Sequence, residues 1–165
     1  MTVESISIFI ATFGQASEFT HLYGALGMIF GYAWFILMQR FIKIEALKRS
    51  IIILSAPLAM VIAEVASLAL DAKDPSIIVL DEFVAVPFIF LGYKLLPVNK
   101  RNILIGLLPL MLFGLLDNLK PLGIRNTELF TGGIGIVADD LAAALITGLI
   151  LYFIKRWQKR LKKDS

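Results

Sequence analysis

Five acidic residues lie beside apolar segments in three separate parts of the chain: Asp81, Glu82, Asp117, Asp139 and Asp140. Carboxylates held close together repel one another, and burying them without partners is costly. A divalent cation removes that cost, and a ligand set of oxygen atoms alone suits magnesium or manganese better than zinc or copper. The five acids therefore predict a metal site of the Mg²⁺ type, with all five as ligands.

Basic residues and glycines follow the same acids along the chain. Lys120 comes three residues after Asp117, Arg125 follows closely, and residues 131–135 read TGGIG. Lysine and arginine can hold a phosphate, and glycines at a helix N-terminus let backbone N–H groups approach an anion. We therefore expect phosphate ligands at Lys120, Arg125, Gly132, Gly133 and Gly135. A metal site beside a phosphate site indicates phosphoryl chemistry.

Each feature also has an ordinary structural explanation. Acids at a helix N-terminus complement the helix dipole, and a lysine near a helix end can extend to the membrane surface. A glycine-rich loop often only turns the chain. Glu64, inside an apolar run, is either functional or a hydrogen-bonded packing residue. The convergence of all five acids favours function over these separate explanations.

Several residue counts exclude whole classes of function. The chain has no cysteine, which excludes disulfides, thiolate metal sites and cysteine nucleophiles. His21 is the only histidine in the sequence, so neither a histidine metal cluster nor a pair of catalytic histidines can form. The net charge of +3, from scattered basic residues, argues against a nucleic-acid partner.

The acids must be positioned by apolar helices. Hydrophobic residues make up 58% of the 165 residues and charged residues 18%, which indicates an integral membrane protein. The apolar runs are too long for strands and do not alternate. The sequence predicts an all-α membrane bundle of about five helices, as one domain over residues 1–165 with a basic tail at 155–165. The predicted runs are Tyr23–Met38, Ile51–Leu70, Ile77–Leu96, Ile103–Leu116 and Ile136–Ile154.

Alternation of these five helices across a membrane predicts where the acids meet. The beginning of the third helix, the end of the fourth and the beginning of the fifth come to the same membrane face, and these are the places that carry the acids. Pro57, Pro87 and Pro109 fall inside runs, where we expect them to kink a membrane helix rather than end it.

Three segments carry a resemblance to a known family. Residues 80–84 (LDEFV), 117–121 (DNLKP) and 132–140 (GGIGIVADD) resemble the phosphatidylglycerophosphatase A family, whose pattern reads D-E-F-V, then D-x-x-K-P-x-x-I-R, then G-G-x-G-I-x-x-D-D. The segments occur in the family's order, and Arg125 falls at the arginine of the I-R pair. In residues 23–28 the glycines of the family's P-G-T-x-G-S remain, while its proline, threonine and serine are replaced, which leaves the exact lipid open.

The resemblance implies an all-helical fold and Mg²⁺-dependent hydrolysis of a lipid phosphomonoester in the cytoplasmic membrane. The family's reaction converts phosphatidylglycerophosphate to phosphatidylglycerol and phosphate, and an archaeal ether lipid would offer the same head group. The catalytic residues are then Asp117, Lys120, Asp139 and Asp140. Asp117 completes the shell of one or two Mg²⁺ ions or orients water as a general base. Lys120 and Arg125, helped by the glycine amides, neutralise the transferring phosphoryl group.

Two alternatives use the same residues differently. A membrane cation transporter or channel would use the acids as an ion pathway, but it predicts acids spread through the membrane depth and gives no reason for Lys120 and Arg125. A non-catalytic scaffold would not need five converging acids.

The orientation in the membrane stays open at this stage. On the alternating topology, thirteen lysines and arginines fall on the side away from the acids and three on the same side. The positive-inside rule then turns the acids away from the cytoplasm, whereas a lipid made on the cytoplasmic leaflet argues for a cytoplasmic site.

Overall fold

The computed structural model describes residues 2–14, 23–72, 75–91, 100–121 and 130–161. These ranges contain helices and no strand, which confirms the predicted all-α fold. The helices are α1 (Val3–Ala11), α2 (Tyr23–Phe41), α3 (Glu45–Ala69), α4 (Leu80–Ile89), α5 (Lys100–Ile105), α6 (Leu107–Leu119) and α7 (Gly132–Leu161). Four of the five predicted runs correspond to α2, α3, α5 with α6, and α7, while α1 has no counterpart among them.

Three helical stretches are long and apolar enough to cross a membrane: Glu45–Ala69, Arg101–Leu119 and Gly132–Gln158. The second of these joins α5 and α6 through Gly106, where the regular helix is interrupted. Pro109 accounts for the interruption, because its ring nitrogen has no hydrogen to donate to the carbonyl of Ile105. Pro57, in contrast, lies within a helix that continues to Ala69. The chain is therefore a membrane protein.

The third predicted run differs from the structure. α4 is ten residues long, about 15 Å, whereas a span needs about 20 residues. The expected helix over Ile77–Leu96 is wrong at both ends, because α4 begins at Leu80 and ends at Ile89, two residues after Pro87. Pro87 cannot continue the helical hydrogen bonds, so this proline accompanies a helix end rather than a kink.

The short helix α4 lies in the middle of the bundle. It packs against α2, α3 and α7, and most of its side chains are buried, including Val84, Ala85 and Val86. Just after it, Phe90 stacks on Phe35 of α2 with ring centroids 4.6 Å apart. The acidic first turn of α4 is consequently held inside the bundle.

Three glycines let α2 approach the first turn of α4 at backbone distance. Gly24, Gly27 and Gly31 lie on one side of α2 because they are three and four residues apart, and we call them the glycine face. A Cβ atom added to Gly27 would lie 2.6 Å from the carbonyl oxygen of Val79, and one added to Gly31 would lie 2.5 Å from that of Phe83. Any larger residue would therefore push the two helices apart.

We expect Gly31→Ala to lower the free energy of unfolding by about 1–3 kcal/mol, because its added methyl group meets backbone rather than a movable side chain. Gly114→Ala in α6 is the matched control. Its Cβ would lie 3.4 Å from the flexible end of Met28, and alanine favours a helix over glycine, so it should be neutral or stabilising. Thermal unfolding in detergent measures both variants, and equal losses would contradict the role of the glycine face.

Candidate active site

A cavity of about 460 Å³ opens at one end of the bundle, where α2, α4, α6 and α7 meet. Its lining includes Lys120 and all five acids that the sequence analysis identified, which are Asp81, Glu82, Asp117, Asp139 and Asp140. We call it the carboxylate cavity. Apolar side chains such as Met28, Phe113 and Ile136 form the rest of its wall. The structure thus brings together acids that are up to 59 positions apart in the sequence.

Each acid lies at or near the end of a helix. Asp81 and Glu82 occupy the first turn of α4, and Asp117 lies in the last turn of α6. Asp139 and Asp140 lie about two turns into α7 rather than at its very beginning. The convergence expected from alternating helices therefore occurs, although α4 is too short to be a span.

The carboxylates form two overlapping groups. Oxygen atoms of Asp81, Glu82 and Asp140 lie within 4.8 Å of one another, and so do oxygen atoms of Asp117, Asp139 and Asp140. Asp140 belongs to both groups. Such a pair of oxygen clusters, joined by one shared carboxylate, has the donor chemistry that hard divalent cations require.

Two of these carboxylates each have a deeply buried oxygen atom. Asp140 is only 4% exposed, and its Oδ2 atom is buried without a hydrogen-bond partner, as is Oδ1 of Asp81. Burial, followed by repulsion from the Glu82 carboxylate, raises the pKa of Asp81 well above its usual value. Buried polar atoms normally have partners, so these two oxygens are candidate ligands for a cation.

Lys120 supplies one positive charge at the rim. Its Nζ lies 2.7 Å from Oδ2 of Asp139. Lys120 also ends α6 in the left-handed conformation, at φ 44° and ψ 48°, where glycine is the usual residue. From this backbone position the side chain of Lys120 reaches the carboxylate cavity.

The predicted phosphate-binding glycines take a different position. Among the residues the structure describes, Gly132, Gly133 and Gly135 do not line the carboxylate cavity. The N–H of Gly133 donates to Oε2 of Glu64 in α3, and a Cβ there would overlap the carbonyl oxygen of Met60. The structure thus gives Gly132 and Gly133 a packing role between α3 and α7, while Gly135 lies against the backbone of Phe130. Glu64 is the hydrogen-bonded packing residue that the sequence left as one of two alternatives.

Two residues named in the sequence analysis, Arg125 and His21, lie outside the residues that the structure describes. Sequence reasoning also missed two features. The glycine face of α2 was available as a spacing of small residues, which typically marks close helix contact. The contact between Glu64 and Gly133 had no local signal, because the two residues are 69 positions apart.

Comparison with known proteins shows which family the chain is similar to. The pattern of the phosphatidylglycerophosphatase A family matches residues 9–155, which is most of the chain. A curated relative from Bacteroides thetaiotaomicron, named "Putative phosphatidylinositol-3-phosphatase", is 38% identical over 85 residues, which are 52% of this chain and 51% of the relative. The chain therefore spans about half the length of this relative. No solved structure matches the chain significantly.

The resemblance that the sequence carried in residues 80–84, 117–121 and 132–140 is confirmed, and the match extends well beyond these segments towards both ends. The chain belongs to the phosphatidylglycerophosphatase A family, a family of phosphoric monoester hydrolases.

Proposed function

We propose that the protein is an Mg²⁺-dependent phosphatase of the cytoplasmic membrane that hydrolyses a lipid phosphomonoester. Phosphatidylglycerophosphate, or its ether-lipid equivalent, is the substrate that the family membership favours, with a role in phospholipid biosynthesis. The observation that carries the proposal is the carboxylate cavity itself, in which five acids from three helices lie beside Lys120. The transport alternative gains no support from acids gathered at one end of the bundle.

The donor set fits a divalent metal. The unpartnered buried oxygens of Asp81 and Asp140 would be satisfied by a cation, and the two overlapping groups of carboxylates are the residues that would hold one or two ions. When bound, the metal would polarise the phosphoryl oxygens and lower the pKa of a bound water molecule. Oxygen ligands alone favour magnesium or manganese.

The protein's own side chains would do the remaining work. Asp117 would orient the attacking water as a general base, or complete the shell of ligands. Lys120, on the rim, would neutralise charge on the phosphoryl group as it transfers. Arg125 follows Lys120 closely in the sequence, and its part in holding the phosphate remains a prediction.

The volume of the carboxylate cavity suits a phosphorylated head group, with the acyl or ether chains left in the membrane. Its apolar wall, formed by residues such as Met28, Phe113 and Ile136, can contact the carbon skeleton next to the phosphate. The relative's name concerns a phosphoinositide, which is also a lipid phosphomonoester. A substrate panel should therefore include both phosphatidylglycerophosphate and phosphatidylinositol 3-phosphate.

We expect the purified protein to release phosphate from phosphatidylglycerophosphate with Mg²⁺ and to stop when EDTA is added. Asp139→Asn should lower the rate at least about a hundredfold, as for loss of a group that stabilises the transition state. Asp71→Asn is the matched control, because Asp71 lines a different cavity beside Glu64. Release that persists in EDTA, or an unimpaired Asp139→Asn variant, would contradict the metal-dependent mechanism.

Lys120→Gln should lower kcat/KM by about 10²–10³-fold, because a fixed charge beside the transferring group is lost. Metal affinity should stay the same or rise, since the variant no longer competes for Asp139. A lower kcat/KM without a loss of metal affinity distinguishes Lys120 from the metal ligands. Lys155→Gln, at the far end of α7, is the control for a lost lysine. Steady-state kinetics together with Mn²⁺ binding measure the effect. A parallel loss of metal affinity would contradict the role of Lys120 at the phosphoryl group.

Asp140→Asn should raise the melting temperature in EDTA, because it removes one of five carboxylates that repel one another. Saturating Mg²⁺ should reverse the order, since a ligand at a hundred times its Kd adds about 2.7 kcal/mol to the wild type and little to the variant. Differential scanning fluorimetry in detergent measures both conditions. A variant that melts lower in EDTA and responds fully to Mg²⁺ would show that the acids do not form one metal site.

A further inference from the structure

The carboxylate of Glu64 lies at the N-terminus of α7, the helix that carries Asp139 and Asp140. Its Oε2 atom accepts a hydrogen bond from the backbone N–H of Gly133, in the first turn of α7. Glu64 belongs to α3, so this bond ties two helices that are distant in sequence. It lies outside the carboxylate cavity, whose lining does not include Glu64.

α7 has no acidic residue of its own in its first turn. The first N–H groups of any helix lack partners within the helix, and the positive end of the helix dipole favours a negative charge there. Glu64 supplies both the acceptor and the charge from α3. The N-terminus of α7 is thus completed by a neighbouring helix.

Backbone packing restricts the same junction. Gly132 adopts φ +68°, in the left-handed region, and a Cβ on it would overlap the Glu64 carboxylate. A Cβ on Gly133 would overlap the carbonyl oxygen of Met60, one turn before Glu64. α7 therefore begins in direct backbone contact with α3. A side chain at Gly132 or Gly133 would displace the two helices from each other.

The tie at Gly133 lies close to the metal-binding acids along a stiff element. Asp139 and Asp140 follow Gly133 by six and seven residues, which is about 10 Å along a helix. Between them, Val137 is fully buried and packs in one apolar cluster with Ala59 and Ala63 of α3. A shift at the start of α7 would therefore move both acids relative to α4 and α6.

We propose that Glu64 is a positioning residue for the carboxylate cavity. It fixes the start of α7 against α3 and thereby sets where Asp139 and Asp140 meet the acids of α4 and α6. The proposal rests on the proposed metal site for its functional consequence, although the anchoring itself can be measured without metal or substrate.

The anchoring is tested by a distance between two spin labels. The sequence contains no cysteine, so Leu54→Cys on α3 and Ile134→Cys on α7 give one clean labelled pair, and both positions are well exposed. Leu54 lies ten residues before Glu64, about 15 Å along α3, which brings the pair into a measurable range. We expect one narrow distance distribution in the parent protein and with Glu64→Gln, whose amide oxygen can still accept from Gly133.

Glu64→Ala should broaden or shift that distribution, and it should weaken Mn²⁺ binding about tenfold to a hundredfold, as for other residues that support metal ligands. Asp71→Ala is the matched control, because it removes the other carboxylate of the cavity beside Gly132 and leaves the Glu64 bond intact. Electron paramagnetic resonance of Mn²⁺ measures the affinity. Should Glu64→Ala fail to fold, Glu64→Asp, which keeps the charge but shortens the reach, should give intermediate changes in both measurements.

The outcomes separate the two proposals. An unchanged distance distribution in Glu64→Ala overturns the anchoring, whatever the activity. A broadened distribution with unchanged Mn²⁺ affinity overturns the link to Asp139 and Asp140, because a merely structural role would leave the metal site intact. A parent protein that binds no Mn²⁺ and releases no phosphate contradicts the proposed function, while the label distances still decide whether Glu64 anchors α7.

Discussion

Repulsion among five carboxylates, held at one end of an apolar bundle, is the constraint to which the other features of the structure respond. Asp81 and Asp140 each have a buried oxygen atom without a hydrogen-bond partner, a costly state for an ionised side chain. Packing elsewhere must therefore hold the helices together against this force. A bound divalent cation would convert the same repulsion into attraction, so the site and the stability of the protein are linked.

Close backbone contacts at glycines hold these helices together. At the glycine face, α2 lies against the first turn of α4, and at Gly133 the start of α7 lies against α3. Both contacts involve the helices that deliver acids to the carboxylate cavity. Small residues allow such contacts in a membrane, where burial of apolar surface gives helices little reason to associate. These glycines thus let the helices that carry the acids approach their neighbours closely.

The short helix α4 shows how the fold serves the chemistry. This ten-residue helix packs against α2, α3 and α7, and its packing holds Asp81 and Glu82 beside the acids of α6 and α7. Lys120 makes a comparable compromise, since it occupies a left-handed position that favours glycine. Local preferences for helix length and backbone conformation give way where acids and a cation must meet.

The sequence by itself determined the helical class, the membrane character and the five acids and Lys120 of the carboxylate cavity, because long apolar runs and acids near their ends are direct signals of helices and of a shared site. It also carried the family, through three segments whose residue types are specific in combination. Only the tertiary structure decided the length of α4, the division of the carboxylates into two groups that share Asp140, and the position of Gly132 and Gly133 against Glu64. Those features depend on contacts between residues far apart in the chain, and no local pattern records which helix will approach which.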